Sequence, residues 1–266
     1  MTSNPGPALA TTTATDLRDR VVLITGASTG IGAAAAVAFA RAGCKLALHY
    51  NASATEAQAV ASAAQAHGAE TVLTQGDLGH AATVPRIVAE TMARFGRIDV
   101  LINNAGGMLG RRSIADYSEA HLQEVLALNV TQVVLFVHEV APIMRRLGGG
   151  AIINVSSIAA RTGGAGGAVL YAAAKGFIST ATHGWARELA ADNIRVNAVS
   201  PGVVTTPFHE RYSTAEQLEA MRETVPLKRL GTADECAGTF LYLASEMLSG
   251  YVTGQVVEVN GGQYMP

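Results

Sequence analysis

The chain has 266 residues, 49% apolar and 15% charged, which suits a sizeable buried core and excludes a disordered chain. Its formal net charge of −2, from 19 basic and 21 acidic residues well mixed along the chain, leaves no basic stripe for a nucleic-acid backbone. No run of eighteen apolar residues marks a membrane span, the opening "MTSNPGPALATTTAT" lacks the basic start and apolar block of a secretion signal, and two dispersed cysteines make neither a disulfide framework nor a metal site. The expectation is a soluble cytoplasmic protein with no nucleic-acid or membrane partner, no metal, and free, buried thiols at Cys44 and Cys236.

Residues 1–17, rich in Thr, Ala, Pro and Gly without apolar periodicity, predict a flexible N-terminal tail, with a single domain over 18–266. From "RVVLITG" onward, β-branched runs alternate with alanine-rich helical stretches. The predicted strands are "VVLIT", "KLALHY", "ETVLTQ", "IDVLIN", "GAIINVS", "NIRVNAVS" and "VVEVN". Continuous apolar runs separated by helices indicate parallel strands buried on both faces, so the predicted fold is α/β, a doubly wound parallel sheet of about seven strands.

The first strand runs into "TGASTGIG", Thr25 to Gly32, and then into an alanine-rich helix closed by Gly43. Glycines after a buried strand let the backbone turn tightly and approach a pyrophosphate at a helix N-terminus. Taken alone the pattern also fits a plain turn, but its place between the first strand and first helix points to a dinucleotide. Gly26, Gly30 and Gly32 are separated by three residues and then one, the reverse of the common G-x-G-x-x-G order.

"TGASTGIG", "NNAG" at 103–106, the serine of "INVSS", "YAAAK" and "SPGVVTTP" occur in the order and approximate spacing of the short-chain dehydrogenase/reductase family, which the chain resembles over nearly everything after the tail. The resemblance implies a Rossmann-type fold, a nicotinamide cofactor and a homotetramer. It implies cofactor contacts from Gly26, Ser28, Thr29, Gly30, Ile31 and Gly32, and from Asn104, Ala105 and Gly106 beneath the ribose. It also implies contacts from Asp77 and Leu78 at the adenine. Pro201 and Gly202 would form a turn, with Val204 and Thr206 at the nicotinamide carboxamide.

Cofactor choice turns on the end of the second strand, "LALHYNAS", where a carboxylate would bind a free ribose hydroxyl and repel a 2′-phosphate. No Asp or Glu stands there; Tyr50, Asn51 and Ser53 offer hydrogen-bond donors instead, so NADP is expected over NAD. Asp77 is equally an ordinary turn residue by sequence alone.

"YAAAK" stacks Tyr171 and Lys175 on one helix face, which in isolation is a bland surface pair. It follows a buried strand ending in serines and a glycine-rich loop, "RTGGAGG", so Ser157 and Tyr171 would face the crevice at the strands' carboxyl ends. Carbonyl reduction leaves negative charge on oxygen and needs a positioned proton donor, and a phenol serves. An ammonium about 4 Å away at an effective dielectric near 20 contributes about 4 kcal/mol, enough to lower the phenol's pKa by roughly three units. The family resemblance implies that Ser157 holds the substrate oxygen, that Lys175 also binds the nicotinamide ribose, and that the backbone of Asn129 holds a relay water. Motif alignment selects Ser157 over Ser156, one residue farther from the tyrosine than in many relatives.

The function expected is NAD(P)-dependent interconversion of a ketone and a secondary alcohol, with a small-molecule carbonyl or alcohol as partner. The alternatives are a 3-oxoacyl carrier-protein reductase, for which Arg111, Arg112, Arg145 and Arg146 are candidate contacts, and a catalytically dead NADP-binding sensor, which would not need Ser, Tyr, Lys and Asn together. The segment between Pro207 and Pro226 has too few apolar residues to pack firmly and is expected to act as a lid.

Overall fold

The computed structural model describes residues 14–164 and 166–266. Seven parallel strands form the central sheet: β1 (Val21–Ile24), β2 (Lys45–Tyr50), β3 (Thr71–Gln75), β4 (Val100–Asn103), β5 (Gly150–Val155), β6 (Ile194–Pro201) and β9 (Val256–Val259), in the order β3-β2-β1-β4-β5-β6-β9. A separate parallel pair joins β7 (Val204–Thr205) to β8 (Gly231–Thr232). All seven predicted strands are present, because continuous apolar runs such as "VVLI" are buried on both faces, as a covered parallel sheet requires.

Side chains alternate between two cores. Val22 and Ile24 point to the layer containing α1 (Gly30–Arg41) and α10 (Ala233–Ala244), where Phe39 and Phe240 are fully buried. Leu23, Leu101 and Ile152 point the other way, toward α3 (Thr83–Phe95), α5 (Gln132–Arg146) and α7 (Val169–Leu189). The remaining helices are α2 (Ala54–Ala66), α4 (Glu119–Leu126), and the short α6 (Ala159–Thr162), α8 (Pro207–Tyr212), α9 (Ala215–Thr224) and α11 (Glu246–Ser249). Helices on both faces of one sheet make the doubly wound, Rossmann-type domain that was expected.

One sequence expectation is adjusted. The tail prediction over 1–17 extends too far: residues 1–13 lie outside the described residues, but Thr15–Leu17 form a helical turn whose Leu17 is buried. Asp16 anchors that turn, accepting hydrogen bonds from the Ser245 hydroxyl and from the amides of Glu246 and Met247 at the start of α11. The helical run Glu119–Arg146 has the length and composition of a membrane span, yet half of its most apolar stretch is packed inside the fold, as befits a core helix.

Strand order reverses between β1 and β4, so the loops leaving their carboxyl ends diverge and open a crevice there. The loops after β5 and β6 reach the same crevice, which places the sequence motifs around one cleft.

Candidate active site

The cleft has a volume of about 850 Å³. Gly26 and Gly30 sit in the left-handed region at φ 63° and 56°, where side chains are strained, and they turn the chain out of β1 into α1. Asn104 pins this loop by donating to the carbonyls of Thr25 and Gly26 at 2.9 and 3.0 Å, while the Thr25 hydroxyl accepts from the amides of Asn104 and Ala105. Thr29 precedes α1 without a side-chain cap, so the first amides of the helix remain available to an anionic ligand in the cleft. A pyrophosphate fits this cradle.

His49, a residue given no role by the sequence reading, holds the loop from the other side. Its Nδ1 accepts from the Gly26 amide at 3.1 Å, and its Nε2 lies 2.9 Å from the Gly76 carbonyl, which fixes the proton on Nε2. Burial holds its pKa below the usual histidine value, consistent with a neutral ring in both bonds. A histidine inside the apolar run "LALHY" was the only signal available in the sequence.

At the other end of the cleft, Ser157 and Tyr171 both line the wall, with the Ser157 hydroxyl near enough to the phenol to favour its ionised form. Ser157 leaves β5 toward the cleft, where its Oγ also accepts from the Ala159 amide. Ser156 turns inward instead, donating to the Lys175 carbonyl at 3.0 Å and lying 2.7 Å from the Ser179 hydroxyl. This division of labour supports the choice of Ser157.

Lys175 is 3% exposed, donates from Nζ to the Val155 carbonyl at 2.8 Å, and sits 5.7 Å from the centroid of the Tyr171 ring. Gly106 makes room for it: a methyl group there would lie 3.1 Å from Nζ and 2.8 Å from Asn129 Oδ1. Asn129 lies in a π-helical turn, Ala127–Thr131, between α4 and α5. Its side chain grips Gly107, donating to the carbonyl at 2.9 Å and accepting from the amide at 3.1 Å, and so locks the "NNAGG" loop beside the lysine. π turns free backbone carbonyls and recur at functional sites.

The electrostatics depart from the sequence expectation. Burial pushes the Tyr171 phenol up to about 12, with the Ser157 hydrogen bond opposing and Tyr212 reinforcing the shift, and burial pulls Lys175 down to about 8. The ammonium was expected to lower the phenol. In the structure it is directed at Val155, and desolvation disfavours charge on both groups.

Of the other candidates, Ser28, Thr29, Ile31, Asn51, Ser53 and Leu78 line the cleft, as do Asn104 through Gly106. So do Pro201, Gly202, Val204 and Thr206 at the far wall, where Thr206 packs 3.3 Å from the position of a methyl on Gly30. Gly32 lies behind the loop, where a side chain would strike the Gly26 carbonyl. Tyr50 is not in the cleft lining, and its neighbours Asn51 and Ser53 take that position. Asp77 is exposed and caps a turn, accepting from the Gly79 amide at 2.8 Å, with Leu78 alone of that pair in the cleft wall. Cys44 and Cys236 are free and buried, and no cluster of three metal-ligating side chains occurs among the described residues.

A family model described as enoyl-(acyl carrier protein) reductase matches residues 26–263. The 3-oxoacyl-[acyl-carrier-protein] reductase of Synechocystis sp. is 38% identical over 255 residues, covering 94% of this chain and 99% of that one. The chain belongs to the short-chain dehydrogenase/reductase family. Among solved structures of this family, a short-chain dehydrogenase/reductase from Serratia marcescens matches with a TM-score of 0.87 at 34% identity, over 93% of this chain and 98% of that one. The NADH-dependent reductase A1-R′ complexed with NAD matches with a TM-score of 0.85 at 33% identity, over 96% of this chain and all of that one. As a short-chain dehydrogenase/reductase, the protein is an NAD(P)-dependent oxidoreductase, and the cradle at α1 fits that cofactor.

The segment after Thr206 carries α8 and α9, neither with a buried residue. Hydrogen exchange across residues 207–226 is expected to slow markedly when cofactor and an accepted alcohol are both bound. Equal protection with and without ligands would make the segment a fixed wall.

Proposed function

We propose that this enzyme reduces a ketone to a secondary alcohol with NADPH, using Tyr171, Ser157, Lys175 and Asn129. The observation that carries the reading is geometric: Ser157, Tyr171 and the buried Lys175 line the same cleft as the glycine loop at the start of α1, so a phenol that is protonated near neutrality stands where a carbonyl beside a bound cofactor would lie. A bound nicotinamide supplies the hydride. Ser157 orients the carbonyl oxygen, Tyr171 gives it a proton, and Lys175 with Asn129 shapes the pocket from behind.

The preference for NADP rests on the cleft wall after β2, where Asn51 and Ser53 present donors and no carboxylate. Assay of the purified protein against a ketone panel is expected to give a higher kcat/KM with NADPH than with NADH, and Asn51→Asp is expected to move the ratio toward NADH. Equal or better efficiency with NADH would overturn the cofactor assignment, and no turnover of any ketone with either cofactor would overturn the reductase reading.

Relatives named as 3-oxoacyl-[acyl-carrier-protein] reductases at 36–38% identity favour a second reading, with an acyl thioester on an acidic carrier as substrate. Against it, one candidate contact, Arg145, is already engaged by Asp192 at 2.5 Å. Acyl thioesters in the same panel decide between the two.

We also place the enzyme in the cytoplasm as a homotetramer. Val169 and Phe177 on α7 and Val134 on α5 leave apolar surface uncovered, as do Met247, Tyr251 and Met265 near the end of the chain. Sedimentation at micromolar concentration is expected to show a tetramer. A monomer alone would reject the assembly.

A further inference from the structure

The chain carries 21 carboxylates against 19 basic residues, yet no Asp or Glu is among the described residues lining the cleft. Its charged lining residues are Arg111, Lys175 and Arg211, all cationic. Lys175 is accounted for by Val155 and the catalytic pair. The two arginines are not explained by hydride or proton transfer.

Both stand at the reacting end. Arg111 follows β4 and bridges two loops, donating from Nε to the Tyr212 carbonyl at 2.9 Å and from a terminal nitrogen to the Gly166 carbonyl at 3.0 Å. Those bonds hold the guanidinium beside α8, where burial first and the Arg111 charge second keep the His209 pKa below the usual value. Arg211 lies on α8 three residues after Phe208, and so on the same helical face. The Phe208 ring is 5.7 Å from the Tyr171 ring and 5.0 Å from that of Tyr212, which ties this face to the proton donor.

Pairing separates Arg211 from the other cations of its segment. Arg222 is bound to Glu219 and Glu223, Lys228 lies near Glu223, and Arg229 is held by Glu235. Those residues are absent from the cleft lining, whereas Arg211 lines the cleft with no ion pair or hydrogen bond among the described residues. A cofactor 2′-phosphate does not explain this, because the wall after β2, with Asn51 and Ser53, belongs to a different part of the sheet from the loops after β4 and β6.

We propose that the substrate is an oxo acid, its carboxylate bound by Arg211 beside the fixed Arg111 and its apolar chain lying against Phe208, Met108 and Met221. An arginine fork matches a planar carboxylate, and in a cleft without acidic groups its field is not cancelled. The carbonyl carbon gains hydride from the reduced cofactor and the oxygen gains the Tyr171 proton, giving a hydroxy acid and oxidised cofactor. This inference rests on the reductase reading and narrows it to anionic ketones.

The test compares straight-chain oxo acids, with one to five carbons between carbonyl and carboxylate, with their methyl esters, using the enzyme and NADPH. At least one acid is expected to exceed its ester tenfold in kcat/KM, the advantage shrinking as salt is raised. Arg211→Gln is expected to cut that acid-to-ester ratio at least tenfold, and Arg211→Lys to restore part of it. Fluorescence titration of the enzyme–NADPH complex with the preferred acid should show the same loss of affinity. Esters equal to acids across the series, or a ratio unchanged by Arg211→Gln, would overturn the proposal, as would an effect on cofactor KM alone, which would assign the arginine to the pyrophosphate. Absence of turnover with every ketone, acidic or neutral, would instead bring down the reductase reading on which the proposal stands.

Discussion

Replacing Tyr171 by Phe is expected to lower the rate of ketone reduction by roughly 10²–10⁴-fold, the usual contribution of a positioned general acid. The substitution deletes one hydroxyl and keeps the ring that packs, tilted, against Phe208 at 5.7 Å, so the aromatic wall and the fold should persist. Cofactor affinity should survive too, because the amides at the start of α1 and the Asn104 clamp are untouched. The measurement is single-turnover reduction beside a cofactor titration. Retention of more than a tenth of the wild-type rate would remove Tyr171 from its role as proton donor.

With the phenol at about 12, the donor stays protonated throughout the neutral range and does not itself limit reduction there. The reverse direction needs the phenolate, so alcohol oxidation is expected to climb with pH over the range in which reduction is not limited by the donor.

Much of this was legible in the sequence for a physical reason. Strands such as "VVLI" and "GAIINV" are buried on both faces, so their burial appears as unbroken apolar runs. The glycine loop was readable because its geometry excludes side chains. What escaped were relations between residues remote in sequence. Asp16 looks like part of a tail until Ser245 and the start of α11 are brought to it. His49 gains its role only when Gly26 and Gly76 converge on its two nitrogens. Of the residues named at the ends of the second and third strands, Asn51, Ser53 and Leu78 line the cleft, while Tyr50 and Asp77 are not in its lining. The direction of the Tyr171 shift was missed because spacing gives proximity to Lys175 and does not give desolvation, which governs both groups.

Lys175→Met is expected to lose turnover and cofactor affinity while gaining thermal stability at neutral pH. Burial lowers the lysine from its ordinary 10.5 to about 8, so folding at pH 7 carries the penalty of enclosing an ammonium. That shift corresponds to about 3 kcal/mol, the penalty being complete below pH 8, where the folded and unfolded chains are both protonated. Between about 8 and 10.5 the unfolded chain binds the extra proton, so wild-type stability should rise with pH through this window and the advantage of the variant should shrink. Methionine fills a similar volume but leaves the Val155 carbonyl without its partner, which returns about 1 kcal/mol. The net gain of about 2 kcal/mol corresponds to a rise in Tm of roughly 4–8 °C at pH 7. Melting curves of both proteins at pH 7 and pH 10 provide the check. A variant that is less stable than wild type at pH 7, or whose advantage grows toward pH 10, would show that the buried ammonium is stabilised by its surroundings and that its charge is retained at no cost to the fold.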